Sequence, residues 1–149
     1  EGFDYNGDGK TDYLIFGYAK PEGNPNQWKG GLIALDVRDS NPQNWRAERI
    51  PGDINPVVSK VEVGYCFGMP YMYFGTGMWF FKNDDRELLQ RNAIYGIPFR
   101  CTESGCQFNE PPNGAVDVTE ESRAQEVCRE YRQGHPRAWK IQLLPADGS

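Results

Sequence analysis

Asp4-Tyr5-Asn6-Gly7-Asp8-Gly9-Lys10-Thr11-Asp12 runs directly into Tyr13-Leu14-Ile15-Phe16-Gly17, and the fold turns on how this junction is read. In the first nine residues, oxygen-bearing side chains stand at positions 1, 3, 5 and 9. Calcium takes about six to eight hard oxygen ligands, and this odd-numbered spacing lets a tightly curled loop aim its oxygens at one centre. Lys10, at position 7, offers its backbone carbonyl. Gly9, at position 6, permits the sharp turn. The candidate ligands for Ca2+ are therefore Asp4, Asn6, Asp8, Lys10 through its carbonyl, and Asp12. The plain alternative is an Asx/Gly turn between strands. Three Asp and one Asn in this register favour the cation. Magnesium fits less well, because it prefers fewer protein ligands and a rigid octahedron.

A helix–loop–helix calcium site carries a bidentate Glu at position 12. Here that position is Ile15, inside an apolar run. Tyr13 to Phe16 read as β, so the loop leads into a strand. Water would complete the cation's shell, and the expected affinity is modest, in the ~0.1–1 mM range of extracellular modules.

Working outward, the apolar run recurs. Tyr13-Leu14-Ile15-Phe16-Gly17 returns as Tyr71-Met72-Tyr73-Phe74-Gly75. Each is a short apolar segment closed by Gly, as a buried strand would be. A second strand candidate follows each: Leu32 to Val37, then Ala93 to Ile97. A third begins with tryptophan, as Trp45, Ala47 and Arg49 alternate with polar or charged neighbours, and so do Trp139, Ile141 and Leu143. The order strand, strand, Trp-strand thus appears twice. The predicted fold is mainly β, made of antiparallel β-propeller blades with an incomplete ring. The blade-like units span 1–60 and 61–149, as a single domain or as part of a larger propeller. Two blades do not close a ring, so another chain or segment is expected to complete it.

The second unit carries an insertion at 100–136 that bears cysteines and one short helix. Cys101 and Cys106 bracket a loop that a disulfide would close. The helix is expected from Thr119 or Glu120 to about Gln133, with Thr119 as cap and Gly134 and Pro136 as stops. Ala124, Val127, Cys128 and Tyr131 share one face. That face turns Cys128 toward the body, where Cys66 is its expected partner. Four cysteines allow three pairings, and Cys101–Cys106 with Cys66–Cys128 is the preferred one.

Composition sets the outer limits. The 149 residues include 17 Gly, 11 Pro and 4 Cys, with a formal charge of −5. An acidic chain has no electrostatic reason to seek nucleic acid or an anionic membrane. No stretch approaches the ~20 apolar residues of a membrane span. The even cysteine count suits disulfides and an oxidising compartment. Zinc is a weaker reading, without a C-x2-C pair and with the single histidine His135. The sequence shows no signal-peptide pattern at Glu1, so any export signal is expected to lie upstream or to have been removed.

Other constellations carry less. Phe74-Gly75-Thr76-Gly77 lacks the Lys-Ser/Thr ending of a phosphate loop. Asn83-Asp84-Asp85 reads as a turn. Tyr71, Tyr73, Trp79 and Phe80 form either a sugar-binding surface or, better, strand-core packing. No Ser or Cys has an oriented His partner, so no catalytic residue is assigned and no enzyme activity is expected.

Taken together, the loop running into Tyr13 to Gly17, the Gly30 to Val37 segment, Trp45, Tyr73-Phe74-Gly75-Thr76-Gly77, Asn92 to Ile97 and Trp139 to Leu143 resemble one family. That family is the PilY-type proteins, the type IV pilus biogenesis factors and tip adhesins, in their C-terminal propeller domain. The resemblance touches most of the chain except the cysteine-bearing insertion. It implies a quinoprotein-like β-propeller without enzyme activity. It also implies export through the periplasm to the cell surface, association with minor pilins, adhesion, and calcium-dependent control of pilus extension and retraction. The family's calcium positions fall on Asp4, Asn6, Asp8, Lys10 and Asp12. The chain is far shorter than a family member, which points to a processed or excised part. Two alternatives belong to other classes: a quinone-dependent dehydrogenase-like propeller enzyme, and a stand-alone calcium-dependent carbohydrate-binding adhesin.

Overall fold

The computed structural model describes residues 1–66, 68–78 and 92–143. They form a mainly β protein with two sheets. The first holds β1 (Gly2–Phe3), β2 (Tyr13–Glu22), β3 (Asn24–Asp36) and β4 (Arg46–Ile54), adjacent in that order and antiparallel throughout. The second holds β5 (Glu62–Cys66), β6 (Met69–Gly75), β7 (Ala93–Thr102), β8 (Gly105–Phe108), β9 (Val116–Asp117) and β10 (Trp139–Gln142). Its order is β5-β6-β7-β10-β9, with β8 folded back on β7. Only the β9–β10 pair within it is parallel.

The three repeated segments lie side by side in each sheet. β2, β3 and β4 are neighbours in the first, as β6, β7 and β10 are in the second. Tyr13 to Gly17 pairs with Leu32 to Asp36 in unbroken register. Tyr71 to Gly75 pairs with Ile94 to Pro98. The Lys20 to Lys29 stretch is a paired ladder that extends the β2–β3 hairpin. Lys20 faces Lys29, Pro21 faces Trp28, and a bulge at Pro21/Glu22 precedes the turn at Gly23. Trp45 stands just before β4 instead of opening it.

Period-two alternation explains the core. Tyr13 and Ile15 point inward from β2, and Leu32 and Ala34 from β3. Met72 and Phe74 answer from β6, with Ala93, Tyr95, Ile97 and Phe99 from β7. These residues form one buried cluster, so the sheets pack on each other by their inner faces. Ile15, Leu32, Met72, Ile97 and Phe99 are fully buried at 0 % exposure. Each such side chain stabilises the fold by about 1.5–3 kcal/mol. Phe3 meets Phe99 edge to face at 4.9 Å, which ties β1 to the second sheet.

No closed propeller or barrel is formed by these two sheets. The outer faces stay partly apolar. Leu14 and Phe16 are 36 % and 41 % exposed on the first sheet, and Ile94 and Ile141 are 42 % and 38 % exposed on the second.

The insertion contains more than a helix. After the β7–β8 hairpin come a 3-10 turn (Pro112–Gly114), β9, and α1 (Glu121–Arg132). Thr119 does not cap α1. The N-cap is Glu120 without a side-chain bond, while the Thr119 hydroxyl donates to Asp117 and accepts from the Gln142 N–H. The buried centre of α1 is Val127, with Ala124 and Tyr131 half-buried and Cys128 exposed. Arg137 clamps the insertion, reaching Glu110 and Glu130 at 3.1 Å each.

Cys101 and Cys106 form a disulfide across the β7–β8 hairpin. The expected Cys66–Cys128 bridge is not formed, and both thiols are free. Three of the four residues on the expected face, Ala124, Val127 and Tyr131, do turn inward, and only Cys128, at the rim of that face, does not. Val127 enters the core, Cys128 moves to solvent, and Tyr131 faces Cys66 instead.

Candidate metal centre

The Asp4–Asp12 loop bridges β1 and β2, and its conformation follows from its own side chains. Asp4 accepts from two backbone N–H groups, Gly7 to Oδ1 at 2.7 Å and Gly9 to Oδ2 at 2.8 Å. Asn6 Oδ1 accepts from the Asp8 N–H at 3.0 Å, and Asp8 Oδ1 from the Lys10 N–H at 2.9 Å. Asp12 Oδ2 accepts from the Tyr5 N–H at 3.0 Å and so joins the loop's two ends. These side-chain-to-backbone bonds curl the chain as Asx turns do. Gly7 and Gly9 take φ of +76° and +84°, the left-handed region that non-glycine residues avoid.

Asp4 is held below the ordinary carboxylate range, chiefly by the Gly9 N–H. It is ionised wherever the protein is folded near neutrality. Asp12 differs from the other candidate ligands because it is buried. Its N–H donates to Phe3 O and its carbonyl accepts from the Val37 N–H, both at 2.9 Å. Asp12 is thus both the last loop oxygen and the first rung of the β2 ladder.

All five candidate donors, Asp4, Asn6, Asp8, the Lys10 carbonyl and Asp12, lie in this one curled segment. Among the described residues, no group of three His, Cys, Asp or Glu side chains is arranged as a metal site. The loop's set is mixed, with an amide and a carbonyl beside the carboxylates, and its carboxylates are turned onto backbone N–H groups. A carboxylate oxygen that accepts one N–H keeps a second lone pair for a cation. A hard, all-oxygen donor set of this kind fits calcium.

Beyond the loop, Tyr5 and Tyr13 meet Arg38. The guanidinium lies 5.8 Å from the Tyr5 ring centroid and 5.4 Å from that of Tyr13. Arg38 is also clamped to Asp36, with Nε donating to Oδ1 at 2.9 Å and Nη2 to Oδ2 at 2.6 Å. Sequence reasoning did not single out this pair. Asp36 is the next-to-last residue of the Leu32 to Val37 strand candidate and Arg38 follows it by two residues, so the signal was a charge pair at a strand end.

The remaining sequence candidates fall elsewhere. The Thr76 N–H donates to Ala93 O at 2.9 Å and the Gly77 N–H to Pro56 O at 2.7 Å, so neither is open to a phosphate. Tyr71 is buried, and Tyr71, Tyr73, Tyr131 and Trp139 form a ladder of ring contacts beneath α1. Burial holds the Tyr71 hydroxyl protonated well above the usual tyrosine range. Trp79, Phe80 and Asn83-Asp84-Asp85 lie outside the described residues. His135 is exposed. No described helix is long and apolar enough to cross a membrane.

No family model matches this sequence, and no curated protein or solved structure matches it at a significant level.

Proposed function

We propose that this chain is a calcium-binding, non-enzymatic β module, part of a propeller similar to the C-terminal domain of PilY-type pilus proteins. In this reading it acts outside the cell, supporting pilus assembly, surface adhesion and calcium-dependent pilus dynamics. The Asp4–Asp12 loop carries the proposal. Its hydrogen bonds curl a segment that carries an all-oxygen donor set at the entrance of β2. Calcium would rigidify that entrance, since Asp12 belongs to both the loop and the strand ladder.

Support for the propeller part comes from the stacked sheets and their outer faces. Leu14 pairs with Leu35, and Phe16 with Ile33, as one apolar patch on the first sheet. Ile94 pairs with Ile141 on the second. In a ring, a neighbouring blade from another segment or chain covers such faces. The Cys101–Cys106 disulfide suits the oxidising route of an exported protein. Minor pilins as partners follow from the resemblance alone.

Calorimetry with calcium is the direct test. A dissociation constant of ~0.1–1 mM is expected. Absence of uptake, or uptake unchanged by Asp8→Ala, defeats the metal site. Co-purification with minor pilins tests the pilus role separately. A dye-linked dehydrogenase assay with added quinone is expected to show no activity, because the sequence lacks the adjacent cysteine pair often placed beside that cofactor.

A further inference from the structure

A cleft of about 900 Å3 opens where β2 begins and β3 ends, walled by the 42–44 turn, the start of β4 and the disulfide hairpin. Its floor is prebuilt. The Tyr13 hydroxyl donates to Thr102 O. Arg38 is held by Asp36 and donates through Nη2 to Glu103 O at 2.8 Å. The disulfide fixes the wall that bears Glu103 and Ser104.

Trp45 forms the opposite wall. Its Nε1 donates to Asp39 O at 2.8 Å and its backbone N–H to Pro42 O at 3.2 Å. The indole is therefore oriented and its one polar atom is already engaged. With 37 % of the residue exposed, it has ring surface to offer the cleft. Asn44 is fixed similarly, its amide donating to Asp39 Oδ2 at 3.1 Å.

The other polar side chains of the cleft keep hydrogen-bonding capacity. Among the described residues, no hydrogen bond engages the side chains of Gln43, Arg46, Glu48 or Glu103, although the Arg46 charge acts on Asp36. One fixed aromatic face is thus surrounded by donors and acceptors. An apolar ligand would waste the polar groups, and a simple ion would waste the ring. A sugar uses both, because its C–H face packs on an aromatic ring while its hydroxyls donate and accept. Two carboxylates, Glu48 and Glu103, against the one guanidinium of Arg46, whose charge already acts on Asp36, disfavour acidic sugars.

We propose that the Trp45 cleft is a carbohydrate-binding site for neutral or amino-sugar units of a glycan. The assignment stands apart from the calcium reading, since no loop carboxylate builds the cleft walls. It also uses residues different from the Tyr71 and Tyr73 surface, which α1 covers in part.

The test is a printed array of neutral, amino-sugar and sialylated oligosaccharides probed with the whole chain, then calorimetry with the strongest binder. Binding confined to neutral or amino-sugar chains is expected. Trp45→Ala should weaken it about tenfold or more, as loss of an anchoring aromatic does. The double variant Arg46→Ala/Glu48→Gln changes only exposed side chains and should weaken it as well, which guards against misfolding of the tryptophan variant. A thermal melt of each variant establishes that it folds. No array signal, signal on sialylated chains alone, or affinity unchanged in the folded variants overturns the proposal. Binding of an oligolysine peptide in place of any sugar does the same.

Discussion

The Gly9 N–H donates to Oδ2 of Asp4 at 2.8 Å, and Gly9 makes that bond from a backbone φ of +84°. Nothing lies within 4 Å of where a Cβ would stand. A side chain at this position would therefore meet a conformational cost and no steric one. Gly9→Ala is expected to cost about 1–2 kcal/mol in the curled loop. That corresponds to roughly a tenfold loss of calcium affinity, read by calorimetry. Unchanged affinity would mean that calcium uses a different loop conformation.

Asp8 and Asp12 separate metal binding from folding. Asp8 is exposed and serves only the loop, through its bond from the Lys10 N–H. Asp12 is 4 % exposed and holds the Tyr5 N–H at the entrance to β2. Removing its carboxylate leaves a donor without its partner, at about 1–3 kcal/mol for a buried group. Both Ala variants should lose calcium binding. Only Asp12→Ala should also melt earlier in the presence of a chelator. Equal melting of the two would remove the structural role assigned to Asp12.

The repeated apolar runs made much of the fold legible. The short apolar runs Tyr13 to Gly17 and Tyr71 to Gly75, each closed by Gly, identified both central strand pairs. The curl of the Asp4–Asp12 loop was legible because its side-chain oxygens act locally, through N–H groups at most seven residues away. Non-local placement was not legible. β8 and β9 lie in a segment without apolar periodicity, and they exist because β7 and β10 offer unpaired edges. Helical periodicity found the correct side of α1, with Ala124, Val127 and Tyr131 turned inward, but Cys128 lies at the rim of that face and is exposed. The Trp45 cleft joins residues from the first sheet to the disulfide hairpin across more than fifty positions, a relationship that spacing rules do not reach.

The cysteines give a test of that placement. Alkylation of the native protein should label Cys128 fast, since it is exposed, and Cys66 more slowly beside Tyr131. Cys101 and Cys106 should stay unlabelled until reduction. Replacing both by Ser should cost about 2 kcal/mol, from the loop-entropy relation for so short a span. Peptide mapping that recovers a linked Cys66–Cys128 pair would contradict the placement of α1.

Acid should act on the Arg38 clamp in a predictable direction. The Arg38 guanidinium beside Asp36 holds that carboxyl below its ordinary value, and Arg38 itself stays cationic. A carboxylate whose folded pKa is depressed adds stability that is fully present above its unfolded value, near pH 4 for a free Asp. The contribution fades as pH falls through the lower, folded value. The melting temperature should therefore be level from neutrality to about pH 5 and then decline. Asp36→Asn should lower the neutral-pH plateau modestly, by about 1 kcal/mol or less, since the pair is partly exposed. Its acid decline should be shallower, so that the two curves converge at low pH. Parallel curves across the whole range would show that the Asp36 charge contributes nothing to the folded state.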